Sequence, residues 1–423
     1  MSEKDFSVVV FGASGVTGRS VAAYLAERAP EVGAGWAVAG RDPAKLERVL
    51  GEVGVSAPET IVADVADPAS LAAMASRAHV VLDLVGPYTL YGEPVIEACV
   101  ANGSHYVDLT GEIPFVRRMI DAFHGPATAA GVKIVEVCGF EALPPDLSVL
   151  LAAETARERW GEELAAVDVD VVTNQPSGRL GLADLISGGT LQSMAEAVGS
   201  EDAAAVVDAA ALIPDAATAD AVRRRSPITL APRVNARGEA VAPMTPVAFI
   251  NPAVIHRTWA LLAAERGGDM GEPLCYREGI GIPGGAATLP LRYAAAGALA
   301  GMQAGFRALS RARPSVRERS AALMRRAMPS SGFGPSGDRL EEWSWQLTAD
   351  ARTVGDRHLR IDVFADGHPG YLTTAKLLGE VGLLLAERGG TPERAGCLTP
   401  ATALGTAVLN RFERAGARFV VSS

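Results

Sequence analysis

Apolar and polar positions over the first 140 residues fall into short apolar runs separated by longer amphipathic stretches. The runs Ser7–Phe11, Trp36–Ala39, Thr60–Val62, Val80–Val85, His105–Asp108 and Lys133–Val137 read as buried strands. Segments near 16–28, 43–50, 68–76, 92–102 and 113–130 carry apolar residues at helical spacing. Strands alternating with helices predict parallel strands joined by crossovers. The expected fold class is α/β: a Rossmann-type doubly wound parallel sheet with a second α+β domain.

The pattern changes near residue 146. Asp146–Arg159 predicts a connecting helix whose start is fixed by Pro144 and Pro145. Ala166–Thr173, Trp343–Leu347 and Leu359–Phe364 predict antiparallel strands, with alanine-rich stretches at 190–222 and 286–328 between them. Ser330–Gly337 reads as a loop, either a lid or a plain surface connection. The tail predicts helices at Tyr371–Arg388 and Pro400–Ala415 and a last strand at Ala417–Val421. The expected domains are 1–145 for nucleotide, 146–370 for substrate, and 371–423 packing back on the first.

Composition narrows the function classes. The chain is 48% hydrophobic and 21% charged, as in ordinary globular proteins, and its net charge of −10 argues against nucleic acid. The charged first residues run straight into a strand, so no signal peptide is expected. Cysteines 99, 138, 275 and 397 are scattered, and the histidines form no HxH or HxxxH pair. No metal centre or disulfide framework is therefore expected, and a cytoplasmic home fits. Ala286–Phe306 is the most membrane-like stretch. Pro290, Arg292 and Gln303 interrupt it, so it reads as a buried helix or pocket wall with no membrane span.

The first strand leads into Gly12-Ala13-Ser14-Gly15-Val16-Thr17-Gly18. Gly12 suits a tight turn, Gly15 a close approach by pyrophosphate, and Gly18 close packing of helix on strand. Beyond the second strand, Arg41 and Lys45 stand where a carboxylate would select NADH, so the expected cofactor is NADPH. The other account of Arg41 is a surface-turn cap. Asp64 can accept from the adenine amino group or sit in a solvated turn. Gly86 and Pro87, after the fourth strand, lie where the nicotinamide should rest.

An ordered set of motifs carries a likeness. Gly-Ala-Ser-Gly-Val-Thr-Gly (12–18), Ala-Gly-Arg (39–41), Gly-Pro-Tyr (86–88), Tyr-Val-Asp-Leu-Thr-Gly-Glu (106–112) and Cys-Gly-Phe-Glu-Ala-Leu-Pro-Pro-Asp-Leu (138–147) form its first part. Ser-Gly-Gly-Thr (187–190), Pro-Gly-Tyr-Leu-Thr-Thr-Ala-Lys-Leu-Leu-Gly-Glu (369–380) and Leu-Thr-Pro-Ala-Thr-Ala-Leu-Gly (398–405) extend it. The chain resembles the saccharopine dehydrogenase-like oxidoreductases, and more narrowly the trans-acting enoyl reductases of actinobacterial polyketide and lipid pathways. The resemblance implies NADPH and an α,β-unsaturated acyl thioester held on a carrier protein or polyketide synthase. Residue 141 departs from it, being Glu where Asp is expected.

Enoyl reduction needs hydride at the β-carbon, a donor at the thioester oxygen and a proton at the α-carbon. The candidate donors are Tyr88, Tyr91, Tyr371 and Lys376. Ser187, Gly188, Gly189 and Thr190 can present helix-start amides to a developing enolate, or form an ordinary capped start. Glu112 is a candidate substrate residue, or a carboxylate at the start of the helix at Ile113. No Tyr-xxx-Lys pair of the short-chain reductase kind follows Tyr88. Two further readings stay open. One is C=N reduction, which would use cations such as Arg223–Arg225 and Arg233; the other is a non-catalytic NADP-sensing or lipid-associated protein. A homo-oligomer is left open.

Overall fold

The computed structural model describes residues 4–56, 59–176, 188–243, 249–267, 271–327 and 338–422. Its first sheet begins with β1 (Phe6–Phe11), whose Val8, Val9 and Val10 are fully buried. β2 (Trp36–Gly40), β3 (Thr60–Val62), β4 (Ala78–Asp83), β5 (His105–Asp108) and β6 (Lys133–Val135) follow. All pair in parallel, in the order β6-β5-β4-β1-β2-β3. The strand order reverses at β1, which lies between β4 and β2. Ligands of doubly wound sheets bind at the carboxyl ends of the strands beside such a reversal.

Local chemistry sets the crossovers. Asp42 and Asp67 accept main-chain N–H bonds at the starts of helices Pro43–Glu52 and Pro68–Arg77, each followed by proline in the first turn. Gly103, Gly131 and Gly161 end the helices before them in the left-handed conformation.

Helix Leu143–Trp160 carries the chain to the second sheet, with its two prolines in the first turn as expected. That sheet is built from β7 (Leu164–Asn174), β8 (Arg233–Val234), β9 (Ala240–Pro243), β10 (Cys275–Ile282), β11 (Ser344–Thr353), β12 (His358–Asp366) and β14 (Ala417–Ser422). Its order is β14-β12-β11-β7-β10-β9-β8, antiparallel except where β10 runs parallel to β7. Val167, Val169, Trp345 and Leu347 face helix Leu143–Trp160 in a core continuous with Val8, Val10 and Leu25 of the first sheet.

The tail divides between the two sheets. Helix Thr374–Ala386 packs on β1 and β4, and β13 (Gly396–Leu398) extends the first sheet beyond β6. β14 pairs with β12 of the second sheet, so the last strand departs from the expected packing on the nucleotide domain. The helix expected over Pro400–Ala415 stops at Leu404, because Gly405 takes φ +68° and breaks it. Ser330–Gly337 and Ser187 lie outside the described residues.

Candidate nucleotide and active site

β1 ends in the glycine turn. Gly12 has φ +90°, and a Cβ there would stand 2.9 Å from Val85 and 3.0 Å from the Leu84 main chain. Its N–H donates to Ala39 O at 3.0 Å, which ties the turn to β2. At Gly18 a Cβ would meet the Gly12 carbonyl oxygen at 2.4 Å, so only glycine lets the helix lie this close. Gly15 is different: it is exposed, and its nearest neighbour would be 3.4 Å away. Helix Val16–Glu31 starts there with no side-chain cap, leaving the amides of Val16, Thr17 and Gly18 aimed out of the helix end. Ala13 is buried beneath the turn, while Ser14, Val16 and Thr17 form a half-buried rim. Uncapped amides over an open glycine fit a pyrophosphate.

Arg41 and Lys45 are exposed just past β2, and neither is in an ion pair among the described residues. The Lys45 N–H donates to Asp42 at 3.0 Å, so the helix cap is supplied by Asp42 and not by Arg41. Asp64 accepts the Ala66 N–H at 2.9 Å in a tight turn after β3, which commits one carboxylate oxygen locally.

Two buried acids organise the central edge. Asp83, at the end of β4, accepts the Val85 N–H at 3.0 Å. Asp108, at the end of β5, accepts the N–H groups of Thr110 and Val137, both at 3.0 Å. The Tyr106 hydroxyl lies between them, 2.9 Å from Asp108 and 3.2 Å from Asp83. Burial pushes both carboxyls up, Asp108 to about 7. Val137 is held at φ +63°, a strained conformation for a β-branched residue, in the loop that Asp108 pins. Sequence reasoning passed over Asp83 and Asp108. The available signal was a carboxylate closing an otherwise apolar strand, in Val-Val-Leu-Asp and Tyr-Val-Asp.

Gly86 and Pro87 form the turn after β4 through a cis peptide. Tyr88 follows, but its ring turns inward against Phe115, and its hydroxyl donates to Asp83 O at 3.1 Å. Its placement speaks against the expected role as proton donor, since the hydroxyl is engaged in the core. Tyr91, one turn on, is exposed.

Glu112 is 1% exposed, and its carboxylate accepts from Tyr88 N–H at 3.0 Å, Thr89 N–H at 2.7 Å and the Ser193 hydroxyl at 2.7 Å. It therefore caps helix Tyr88–Asn102, a different helix from the one expected at Ile113. Through Ser193 it also holds helix Gly188–Gly199, which Gly188, Gly189 and Thr190 open.

Tyr371 and Lys376 belong to another side of the edge. Pro369–Thr373 forms a π-type turn ahead of helix Thr374–Ala386. It is fastened to the loop after β6, where the Phe140 N–H donates to the Thr374 hydroxyl at 3.0 Å. The Tyr371 ring lies 4.8 Å from His368, itself 4.5 Å from Trp343. Lys376 is half-buried, in the first turn of helix Thr374–Ala386. Tyr88 and Tyr371 thus sit on different loops. Glu141 is a further carboxyl in this quarter: its Oε2 lies 2.5 Å from where a Gly139 Cβ would be, and burial raises its pKa.

The model for the saccharopine dehydrogenase NADP binding domain matches residues 8–135. A putative trans-acting enoyl reductase of Mycobacterium tuberculosis is 35% identical over 98% of this chain and 96% of its own length. A trans-acting enoyl reductase of Mycobacterium ulcerans is 34% identical over 98% and 97%. The chain belongs to the saccharopine dehydrogenase-like oxidoreductases. Saccharopine dehydrogenase (L-Glu forming) of Saccharomyces cerevisiae, in its apo form, shares the fold across 98% of this chain and 99% of its own, with a TM-score of 0.52 at 16% identity.

This saccharopine dehydrogenase-like oxidoreductase uses NADPH. Its glycine turn fits the shared diphosphate, since Gly12 and Gly18 are filled against neighbours while Gly15 is exposed. No described group of three or more His, Cys, Asp or Glu could hold a metal, and no described helix is long and apolar enough to cross a membrane.

Proposed function

We propose that this oxidoreductase is a cytoplasmic trans-acting enoyl reductase, reducing an α,β-unsaturated acyl thioester presented on a carrier protein or polyketide synthase. The observation that carries the reading is likeness over nearly the whole chain, second sheet included, to proteins named trans-acting enoyl reductase. NADPH, when bound, supplies hydride. Gly12–Gly18 seat the diphosphate, Arg41 and Lys45 the 2′-phosphate, and Gly86–Pro87 the floor under the nicotinamide. Asp64 is left at the adenine side with one free carboxylate oxygen.

The proton side of the reaction falls to the segment seated on the loop after β6. Tyr371 is the candidate donor, with Lys376 on the same segment and the amides of Gly188–Thr190 facing the developing oxyanion. The C=N reading is weakened, because two of its expected carboxylate anchors are already engaged. Arg233 is bonded to buried Asp170, and Arg223 to Asp208 and Asp220.

The test follows NADPH oxidation with crotonyl-type thioesters, free and carrier-bound, and then with imines. Reduction of the enoyl substrates alone supports the proposal. Tight NADPH binding with no turnover across the panel would overturn it in favour of a sensor.

A further inference from the structure

Helices Leu289–Ser310 and Pro314–Ala327 form a hairpin that leaves its larger aliphatic side chains outside. The side chains it buries are either small, as Ala296, Ala300 and Ala321 are, or polar. Arg292 donates to Ile282 O and Gly285 O at 2.8 Å, Gln303 to Pro243 O at 2.9 Å, and Arg317 to Ser200 O at 2.6 Å. The side chains it shows to solvent are apolar: Leu291 is 74% exposed, Leu323 68% and Met302 58%, with Tyr293, Leu299 and Val316 beside them. Leu291, Ala295, Ala298 and Met302 share one stripe at helical spacing, and no residue from Tyr293 to Phe306 is charged.

The hairpin also departs from the rest of the molecule in sign. From Leu289 to Ala327 it holds eight arginines and one acid, Glu318, in a chain of net charge −10. Among the described residues, exposed Arg311, Arg313, Arg319 and Arg326 are in no ion pair. Arg311 and Arg313 lie at the hairpin's bend. Arg319 and Arg326 flank the Val316–Leu323 stripe at helical spacing.

We propose that this hairpin lies flat on an anionic lipid surface. An apolar helix face sinks to the acyl boundary while arginines at its margin meet the headgroups. No described helix is apolar and long enough to cross, which suits a helix lying in the plane. A second copy fits less well, because a two-fold contact would set the four unpaired exposed arginines of each copy against those of the other, with one acid from each side. The hairpin rests on helix Gly188–Gly199, through Ala321 at Gly199 and an Arg325–Glu196 pair at 2.9 Å. Since Ser193 of that helix holds Glu112, the site edge would open beside the lipid. The inference stands whether or not the acceptor is an enoyl thioester.

The experiment is co-sedimentation of the full chain with phosphatidylcholine vesicles, with and without phosphatidylglycerol. Binding is expected only to the anionic vesicles, weakening with salt. Leu291→Glu with Met302→Glu should reduce it by more than about tenfold, and Arg319→Ala or Arg326→Ala by about fivefold each. Retained NADPH binding shows that these surface variants are folded. Failure of the wild type to bind anionic vesicles, or binding that ignores the Leu291/Met302 pair, would overturn the proposal. So would a dimer, or capture of an acidic acyl carrier protein, that the same pair abolishes while lipid binding persists.

Discussion

Single residues divide the nucleotide seat into parts the sequence made legible and parts it did not. The glycines at 12 and 18 were readable because each role has one steric cause: a positive φ at the first and a 2.4 Å clash at the second. Side-chain direction was not readable. Tyr88 looks like a donor by position, yet its ring completes a core with Phe115, and Glu112 is spent on a helix start. Arg41 is the residue whose role is most open to measurement. A guanidinium forked onto a 2′-phosphate contributes on the order of 2 kcal/mol. Arg41→Ala should therefore weaken NADPH binding by about ten- to a hundredfold. NADH binding, followed by the same fluorescence titration, should barely change; equal losses would remove Arg41 from the phosphate site.

Among elements, strands with an apolar run or a regular alternation were legible, and the one broken by charges and glycines was not. β10 reads Cys-Tyr-Arg-Glu-Gly-Ile-Gly-Ile, with two charges and two glycines, and was not predicted. Its glycines have a packing cause: a Cβ at Gly279 would meet Val241 at 2.3 Å, and one at Gly281 would meet Val172 at 2.7 Å. The three-residue β13 was too short to show periodicity. Helix Leu143–Trp160 was found, but not the partner of its first-turn acid. Buried Asp146 accepts from the Thr258 hydroxyl and the Ala401 N–H, joining three helices. Burial raises its pKa to about 7. A carboxyl raised on folding contributes stability that is full below its unfolded pKa near 4 and is lost as pH rises through 7. Urea unfolding of wild type against Asp146→Asn should show the wild-type advantage shrinking between about pH 4 and 7, by up to about 1.4 kcal/mol per pH unit. A constant difference would mean that Asp146 stays ionised in the fold.

At the scale of the whole molecule, the alternation of strands and helices predicted two architectures correctly but not how they are stitched. Composition shifts mark where a chain changes character; they carry no trace of which sheet a late strand joins. Here β13 pairs with β6 and β14 with β12, so the last residues bind both sheets. A chain ending at Ala395 loses both strands and leaves two unpaired edges, a template for aggregation. It should be recovered largely insoluble, whereas a chain lacking only Ser422 and Ser423 should remain soluble and bind NADPH. Soluble nucleotide-binding protein from the Ala395 truncation would show the tail to be dispensable. The same stitching sets an order of events during synthesis. β1 leaves the ribosome roughly 20 to 80 seconds before β13 at ordinary elongation rates. Throughout that interval the β6 flank of the nascent nucleotide fold stays unpaired, open to any strand that meets it before β13 arrives.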